Sequence, residues 1–284
     1  MTTLPLIDIQ HISYAYAVQK VGNSEAHAVF ALRDVSLQVQ DGEYLAVLGH
    51  NGSGKSTLAR HCNALLIPNE GSVFVAGYDT GIPANRRIIR DTVGMIFQSP
   101  DNQLIATVVE DDVAWGLAVR GYAPSLIRER VDTAMEAVGI PHLRKLPPHQ
   151  LSGGQRQRVA IAGILALRPR CIIADEATAQ LDPLSRKEIV SLLHQLHREH
   201  GLTIIHVTHL LEEVVQADRI VVMERGQIVL EDTPTRLFTQ LERLRHLKLA
   251  LPEPLILANR LRETGLPISR DALTVESIAR EIMP

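Results

Sequence analysis

Residues Gly49–Thr57 read GHNGSGKST, matching G-x-x-x-x-G-K-[ST], and they fall where the hydrophobic period changes. The preceding EYLAVLG reads as a short buried strand, whereas the following KSTLARHCNALL has helical spacing. A strand that passes through glycines straight into a helix sets the class as α/β. Gly49, Gly52 and Gly54 allow backbone conformations that a Cβ would obstruct, so successive amides can converge on phosphate oxygens. The helix adds the positive end of its dipole. Within this loop, which also holds Asn51 and Ser53, Lys55 offers a charge for β- and γ-phosphates. Ser56 offers a hydroxyl for Mg2+, and Thr57 a further phosphate contact.

Two more segments carry the same chemistry. CIIADE (Cys171–Glu176) is an apolar strand ending in two carboxylates. Asp175 suits the Mg2+ shell, directly or through water, and Glu176 is placed to polarise an attacking water. LSGGQ (Leu151–Gln155) sets Ser152 and the Gly153 and Gly154 amides at the start of a helix, a second anion-binding terminus. Two helix-terminal phosphate sites sharing one lysine suggest service to two different nucleotides.

The remaining pattern is of strands with a helical insert. Residues 5–40 alternate as β-branched strands around a polar loop at Gly22-Asn23-Ser24. SVFVAG, VGMIF, LTIIHVTH and RIVVMERGQIVLED are further strands, the last a hairpin turning at Arg225-Gly226. Between Leu104 and Lys145 the period becomes helical, with Ile127, Val131, Ala134 and Val138 on one face. Leu184–His200 is amphipathic through Ile189, Leu192, Leu193 and Leu196 and stops at Gly201. Past Pro234, two or three helical pieces punctuated by LPEP and GLP read as an appended small domain.

Composition narrows the function classes. At 45% hydrophobic content, 284 residues can bury a sizeable core. A net charge of −3 and a pI of about 6.5 leave no basic field to attract nucleic acid. Cys62 and Cys171 stand far apart in apolar surroundings, the pattern of inert, reduced thiols. The opening MTTLPLIDIQ lacks signal-peptide features, and the longest apolar run, Val159–Leu167, is too short for a bilayer. Any membrane role is therefore expected to run through a partner.

The order P-loop, Gln98, LSGGQ, Asp175-Glu176, LD and His209 resembles the ABC-type ATPases over residues 5–233. The resemblance implies a RecA-like core, an antiparallel β subdomain and a helical subdomain at about 100–165. It also implies head-to-tail pairing of two cassettes, the LSGGQ of one closing over the P-loop nucleotide of the other. By position, Tyr16 would stack on adenine, with Tyr14 the alternative on the same strand face. Glu176, Gln98 and His209 would be catalytic: general base, water and Mg2+ contact, and γ-phosphate contact. Ser56, Gln98 and Asp175 would hold Mg2+. Ser152, Gly153, Gly154 and Gln155 would complete the opposite nucleotide site, and Asp182 would bridge the cassettes. His206, and the group His194, His197 and His200, have no cysteine or carboxylate to complete a metal set. Many importer cassettes carry proline after the glutamate and a small residue before LD. This chain has Ala177 and Gln180, a difference that bears on partner choice rather than hydrolysis.

Between Lys55 and Ser152 there is no room for the coiled coil of a DNA-repair type. Translation-factor types carry two cassettes where one stands here, and exporters usually fuse a membrane domain. A separate-chain importer motor is favoured, with another importer class, or after it a non-transport ABC ATPase of DNA repair or translation, as the alternative. FQSPDNQLIATVVEDDVAWGL resembles the energy-coupling factor (ECF) type, which includes cobalt, nickel and vitamin importers. The tail, residues 234–284 with a final Thr274-led helix, resembles the extension through which ECF ATPases hold each other. DEAT resembles the first of the two ATPase types in heterodimeric systems. Implied partners are a second ATPase subunit, sibling or copy, a transmembrane scaffold docking near Gln98–Asp112 and a membrane substrate-binding subunit, with no nucleic acid. Implied cofactors are ATP and Mg2+, and the implied location is the cytoplasmic face of the cell membrane. In this reading Asp101-Asn102-Gln103 starts a helix that carries the γ-phosphate signal from Gln98. Glu110, Asp111 and Asp112 make the nearby groove acidic for cationic coupling helices.

Overall fold

The computed structural model describes residues 4–17, 28–269 and 272–282, so the loop at Gly22–Ser24 lies outside the described residues. Strands β1 (Ile7–Ala17) and β2 (Ala28–Val39) precede β3 (Tyr44–Leu48), from which the glycine loop runs into α1 (Lys55–Cys62). β4 (Glu70–Val75), the two-residue β5 (Tyr78–Asp79) and α2 (Arg86–Thr92) lead to β6 (Val93–Ile96). The insert consists of α3 (Val109–Val119), α4 (Pro124–Ala137) and α5 (Gly153–Leu165). Then come β7 (Cys171–Asp175), α6 (Pro183–His200), β8 (Thr203–Thr208), β9 (Arg219–Glu224) and β10 (Gln227–Asp232). The tail contributes α7 (Pro234–Leu237), α8 (Leu241–His246), α9 (Glu253–Glu263) and α10 (Val275–Ile282).

Two sheets result: an antiparallel one ordered β2-β1-β4-β5, and a six-stranded one ordered β10-β9-β3-β8-β7-β6. The larger sheet is parallel except for β10. Strand β3 explains why its run is apolar throughout, since both of its faces are covered. Tyr44, Ala46 and Leu48 enter a core shared with α3–α6, whereas Leu45 and Val47 enter a second core with α1 and the antiparallel sheet. Cys62 and Cys171 sit free in the second core, where burial pushes both thiols up, Cys62 to about 12. They are inert at neutral pH. The β9–β10 hairpin turns at Arg225 and Gly226, both with positive φ (49° and 81°), as a tight two-residue connection needs. Helix α6 starts on Asp182, whose Oδ1 accepts from the Leu184 and Ser185 amides at 3.0 Å, and it stops at Gly201 with φ 64°.

Three local expectations are corrected. Asp101-Asn102-Gln103 does not start a helix: Pro100–Asn102 is one 3-10 turn, and α3 begins only at Val109. Gln103 folds back instead, its Oε1 accepting from the Phe97 amide (2.9 Å) while its Nε2 donates to the Met95 carbonyl (3.3 Å). The acidic triplet is not a uniformly acidic surface either. Glu110 is neutralised by Lys145 and Arg144, and Asp112 turns inward so that Oδ1 accepts from the Ile105 and Ala106 amides; Asp111 is the exposed one. Finally, the tail forms four helices among the described residues rather than two or three. Leu237, Phe238, Leu244, Leu249 and Leu255 pack into the main core, and Leu210 bridges to Ala250. A smaller separate cluster of Ala258, Ile268, Ala272 and Ile278 lies beyond them.

Candidate nucleotide site

The glycine loop is held by sterics on both sides. Gly54 has φ 105°, and a Cβ there would lie 2.5 Å from the Ala31 carbonyl oxygen of β2. The loop's exposed edge opens into a cleft of about 470 Å3, lined by Tyr16, Phe30, Lys55, Thr57, Gln98 and Glu176 among others. Asn51, Gly52, Gly54 and Ser56 also line it. Ser53 instead has a wholly buried side chain, so it serves the site through its backbone. Gly49 likewise offers its carbonyl, which accepts from Lys55 Nζ at 2.8 Å; the His50 carbonyl accepts a second bond at 3.2 Å.

The charged groups converge on that lysine. Glu176 Oε1 lies 3.5 Å from Lys55 Nζ, and His209 Nδ1 lies 4.0 Å from the same oxygen. Burial draws the Lys55 pKa down, while Glu176 and Asp175 oppose it. Burial likewise raises the Asp175 carboxyl, countered by the Ser56 hydroxyl, which donates to Asp175 Oδ1 at 2.7 Å, and by Arg60 and Lys55. Ser56 and Asp175 thus present adjacent hard oxygens beside the cleft, with Gln98 on its wall. That donor set fits Mg2+, which takes few protein oxygens and keeps phosphate and water for the rest. Glu176 has φ 50°, a left-handed state costing a non-glycine residue about 1–3 kcal/mol. It is held there by its own amide, which donates to the Val207 carbonyl of β8 at 2.9 Å.

The two tyrosines differ in position relative to the cleft. Tyr16 lines it and its hydroxyl is 3.3 Å from Thr57 Oγ1, whereas Tyr14 packs edge-on against buried His61 at 4.9 Å. Ser152 caps α5 in a capping box, accepting from the Gln155 amide at 3.2 Å while Gln155 Oε1 accepts from the Ser152 amide at 2.9 Å. Gly153 and Gly154 form its first turn, and a Cβ on Gly154 would meet Ser185 of α6 at 2.9 Å. None of Ser152, Gly153, Gly154 and Gln155 lines the cleft beside Lys55. The anion-ready helix end therefore forms no part of the cleft at its own P-loop. Of the histidines considered as metal ligands, His194 stacks on Tyr44 at 4.4 Å, and His197 Nδ1 lies 3.0 Å from the Leu202 carbonyl.

Comparison with known proteins decides what this arrangement belongs to. The profile of the ABC transporter family matches residues 32–179. The chain is 48% identical over 277 residues to the energy-coupling factor transporter ATP-binding protein EcfA1 of Clostridium novyi (strain NT), covering 98% of this chain and 97% of that one. The chain belongs to the ABC transporter family. The EcfA1 of Symbiobacterium thermophilum is 49% identical over 280 residues, covering 99% and 97% of the two chains, and it too sets this ABC ATPase in the ECF branch. Among solved structures, cbiO1 of Clostridium perfringens, part of the ABC transporter complex cbiONQ, superposes with a TM-score of 0.75 at 35% identity. It covers 90% of this chain and all of that one. The ABC cassette MJ0796, dimeric and bound to ADP and Pi, gives a TM-score of 0.70 at 29% identity over 80% of this chain and 98% of that one. The α/β P-loop cassette read from the sequence is thus the fold present, and the protein is an ATP-binding transport ATPase.

Sequence reasoning missed two residues near the ABC site. Phe30 lines the cleft beside Tyr16, with the Arg33 guanidinium 5.2 Å above its ring. Alternation along β2 was its only trace. Glu213, deeply buried behind the cleft, left only its place four residues after His209.

Proposed function

We propose that this ATPase works as one cassette of a dimer that drives an ECF-type importer of a vitamin or transition-metal ion at the cytoplasmic face of the cell membrane. The observation that carries this reading is the separation of the two phosphate-binding helix ends. Lys55, Glu176 and Gln98 line the P-loop cleft and His209 lies 4.0 Å from Glu176, while the Ser152 helix end lines no part of it. One cassette alone therefore offers half of two nucleotide sites. In the closed pair, Tyr16 stacks on adenine, the loop amides and Lys55 hold the phosphates, and the opposite Ser152–Gln155 turn covers the γ-phosphate. Ser56, Asp175 and Gln98 would hold Mg2+, which would neutralise phosphate charge. Glu176 takes a proton from water that Gln98 and His209 orient, and Asp182 touches the other cassette.

The docking surface for a transmembrane scaffold follows from the segment after Gln98. A groove of about 140 Å3 is lined by Ile105, Asp112, Trp115, Gly163 and neighbours. Ile105 and Trp115 stand 59% and 52% exposed, a large apolar surface to leave in water. Asp112 Oδ2 is buried there with no hydrogen-bond partner among the described residues, so the acid left open to an incoming cationic helix is the exposed Asp111 rather than a diffuse acidic field. Asp101 pairs with Arg156 of α5 at 2.8 Å, linking this surface to the Ser152 helix end. Exposed Leu257 and Val275 on α9 and α10 support a dimerisation role for the tail.

Purification from membranes through a tag on this chain tests the assignment. A second cassette, a helical scaffold and a membrane substrate-binding subunit should co-purify, and Trp115→Glu should release the scaffold while leaving nucleotide binding intact. Recovery of DNA or ribosomes instead would overturn the transport reading.

A further inference from the structure

Glu213, in the 3-10 turn Leu211–Glu213, has a side chain only 2% exposed, yet it touches both loops that carry the candidate catalytic groups. Its Oε1 accepts from the Thr178 hydroxyl at 2.6 Å, and its Oε2 accepts from the Thr208 hydroxyl at 2.7 Å. Thr178 lies two residues beyond Glu176, in the segment that leads to Asp182. Thr208 immediately precedes His209, and its oxygen also accepts from the Leu210 amide at 3.1 Å, which fixes the loop around that histidine. His206 Nε2 stands 3.3 Å from Oε2, and the His206 ring is anchored behind by the Tyr44 hydroxyl at 3.0 Å from Nδ1. On the other side Arg186 Nε approaches Oε1 to 3.8 Å, on the helix that Asp182 caps. An acid this deeply buried is costly unless every lone pair is used, and here each oxygen has a hydroxyl donor.

We infer that Glu213 is a positioning residue for ATP hydrolysis, a buried brace that holds the Glu176–Asp182 segment and the His209 loop in one fixed relation. The brace has a directional consequence. Asp182 begins the helix nearest the second cassette in the proposed dimer, so movement of that segment on closure reaches His209 through Thr178, Glu213 and Thr208. Neither threonine touches the cleft, and neither does Glu213. The brace therefore governs where the base and the histidine stand, rather than how tightly ATP is held. This inference rests on the assignment of Glu176 and His209 made above.

The test compares Glu213→Gln, Thr178→Val and Thr208→Val in the complex purified from membranes, with Glu176→Gln beside them. Gln keeps the shape of Glu but offers one acceptor oxygen, so one threonine hydroxyl loses its partner. Turnover of Glu213→Gln should fall about ten- to a hundredfold, as for a misplaced catalytic group. KM for ATP and affinity for a non-hydrolysable analogue should stay within about twofold. Each threonine variant should reproduce part of the fall, and combining Thr178→Val with Glu213→Gln should cost less than the sum of the two single losses. Unchanged turnover in the folded threonine variants would overturn the brace. So would losses that add in full, or losses matched by equal losses of analogue binding. Normal turnover in Glu176→Gln would instead unseat the assignment of the base, whatever Glu213 does.

Discussion

Gly226→Ala should loosen the P-loop from a distance. Gly226 turns the β9–β10 hairpin with φ 81°, where alanine is disfavoured by about 1 kcal/mol. A Cβ would lie 2.7 Å from the Ala31 oxygen, 3.1 Å from the Ala31 carbonyl carbon and 3.2 Å from Leu32 Cα. All three are backbone atoms of β2, so no side chain can swing aside. The turn must shift, and it holds two backbone hydrogen bonds, Gly226 N–H to the Ser53 carbonyl and Arg33 N–H to the Gly226 carbonyl, both 2.9 Å. At about 0.5–1.5 kcal/mol for each weakened bond, the total loss comes to about 2–4 kcal/mol. For a chain of this size that lowers the melting temperature by about 5–15 °C. Because Ser53 belongs to the P-loop, ATP affinity should fall as well. Gly201→Ala is the control: φ is 64°, but nothing lies within 4 Å of its Cβ, so only the backbone preference of about 1 kcal/mol is lost. Denaturant titration and ATP-analogue binding on both variants decide the matter. If the two variants behave alike in both assays, the hairpin does not clamp the loop.

Lys55→Ala should abolish ATP binding or hydrolysis, since it removes the lysine that lines the cleft and leaves Glu176 and Asp175 facing the triphosphate; calorimetry and phosphate release measure both. Leu257→Glu with Val275→Glu should weaken dimerisation at an unchanged melting temperature, as read by analytical ultracentrifugation. A cut at residue 235 would be a poorer probe, because it strips Leu237, Phe238, Leu244, Leu249 and Leu255 from the main core. In the folded protein Glu213 titrates at about 2 against an ordinary 4.5: burial alone would raise it, but His206 and the hydroxyls of Thr178 and Thr208 overcome that effect. A depressed carboxyl stabilises the fold above about 4.5, by about 3 kcal/mol in full, and that contribution drains away as pH falls toward 2. The stability gap between wild type and Glu213→Gln should therefore narrow by about 1 kcal/mol from pH 6 to 3.5, and a pH-independent gap would contradict the buried ion.

Much of the site was legible along the chain because phosphate chemistry is local. A P-loop needs consecutive amides, a lysine and a hydroxyl within a few residues, so GHNGSGKST declares itself. The Ser152 cap of α5, the Asp175–Glu176 strand end and the turn at Arg225–Gly226 are equally local, and all stand where their motifs put them. Burial on both faces of β3 was also readable, since an unbroken apolar run has no polar side to offer water. Composition could not say which acid faces solvent. Glu110, Asp111 and Asp112 are consecutive, yet one is paired, one exposed and one turned in to cap the Ile105 and Ala106 amides. Their fates depend on Lys145 and on the path of the chain before α3. Nor could spacing bring Glu213 to Thr178, 35 residues earlier, or Asp101 to Arg156. Sequence by itself determined the phosphate loop, the capped helices and the apolar signature of the buried strands, because each is built from neighbours. Only the tertiary structure decided which charges are buried, which tyrosine meets the cleft and where the tail joins the core, because those outcomes are set by side chains that meet only once the sheets have packed.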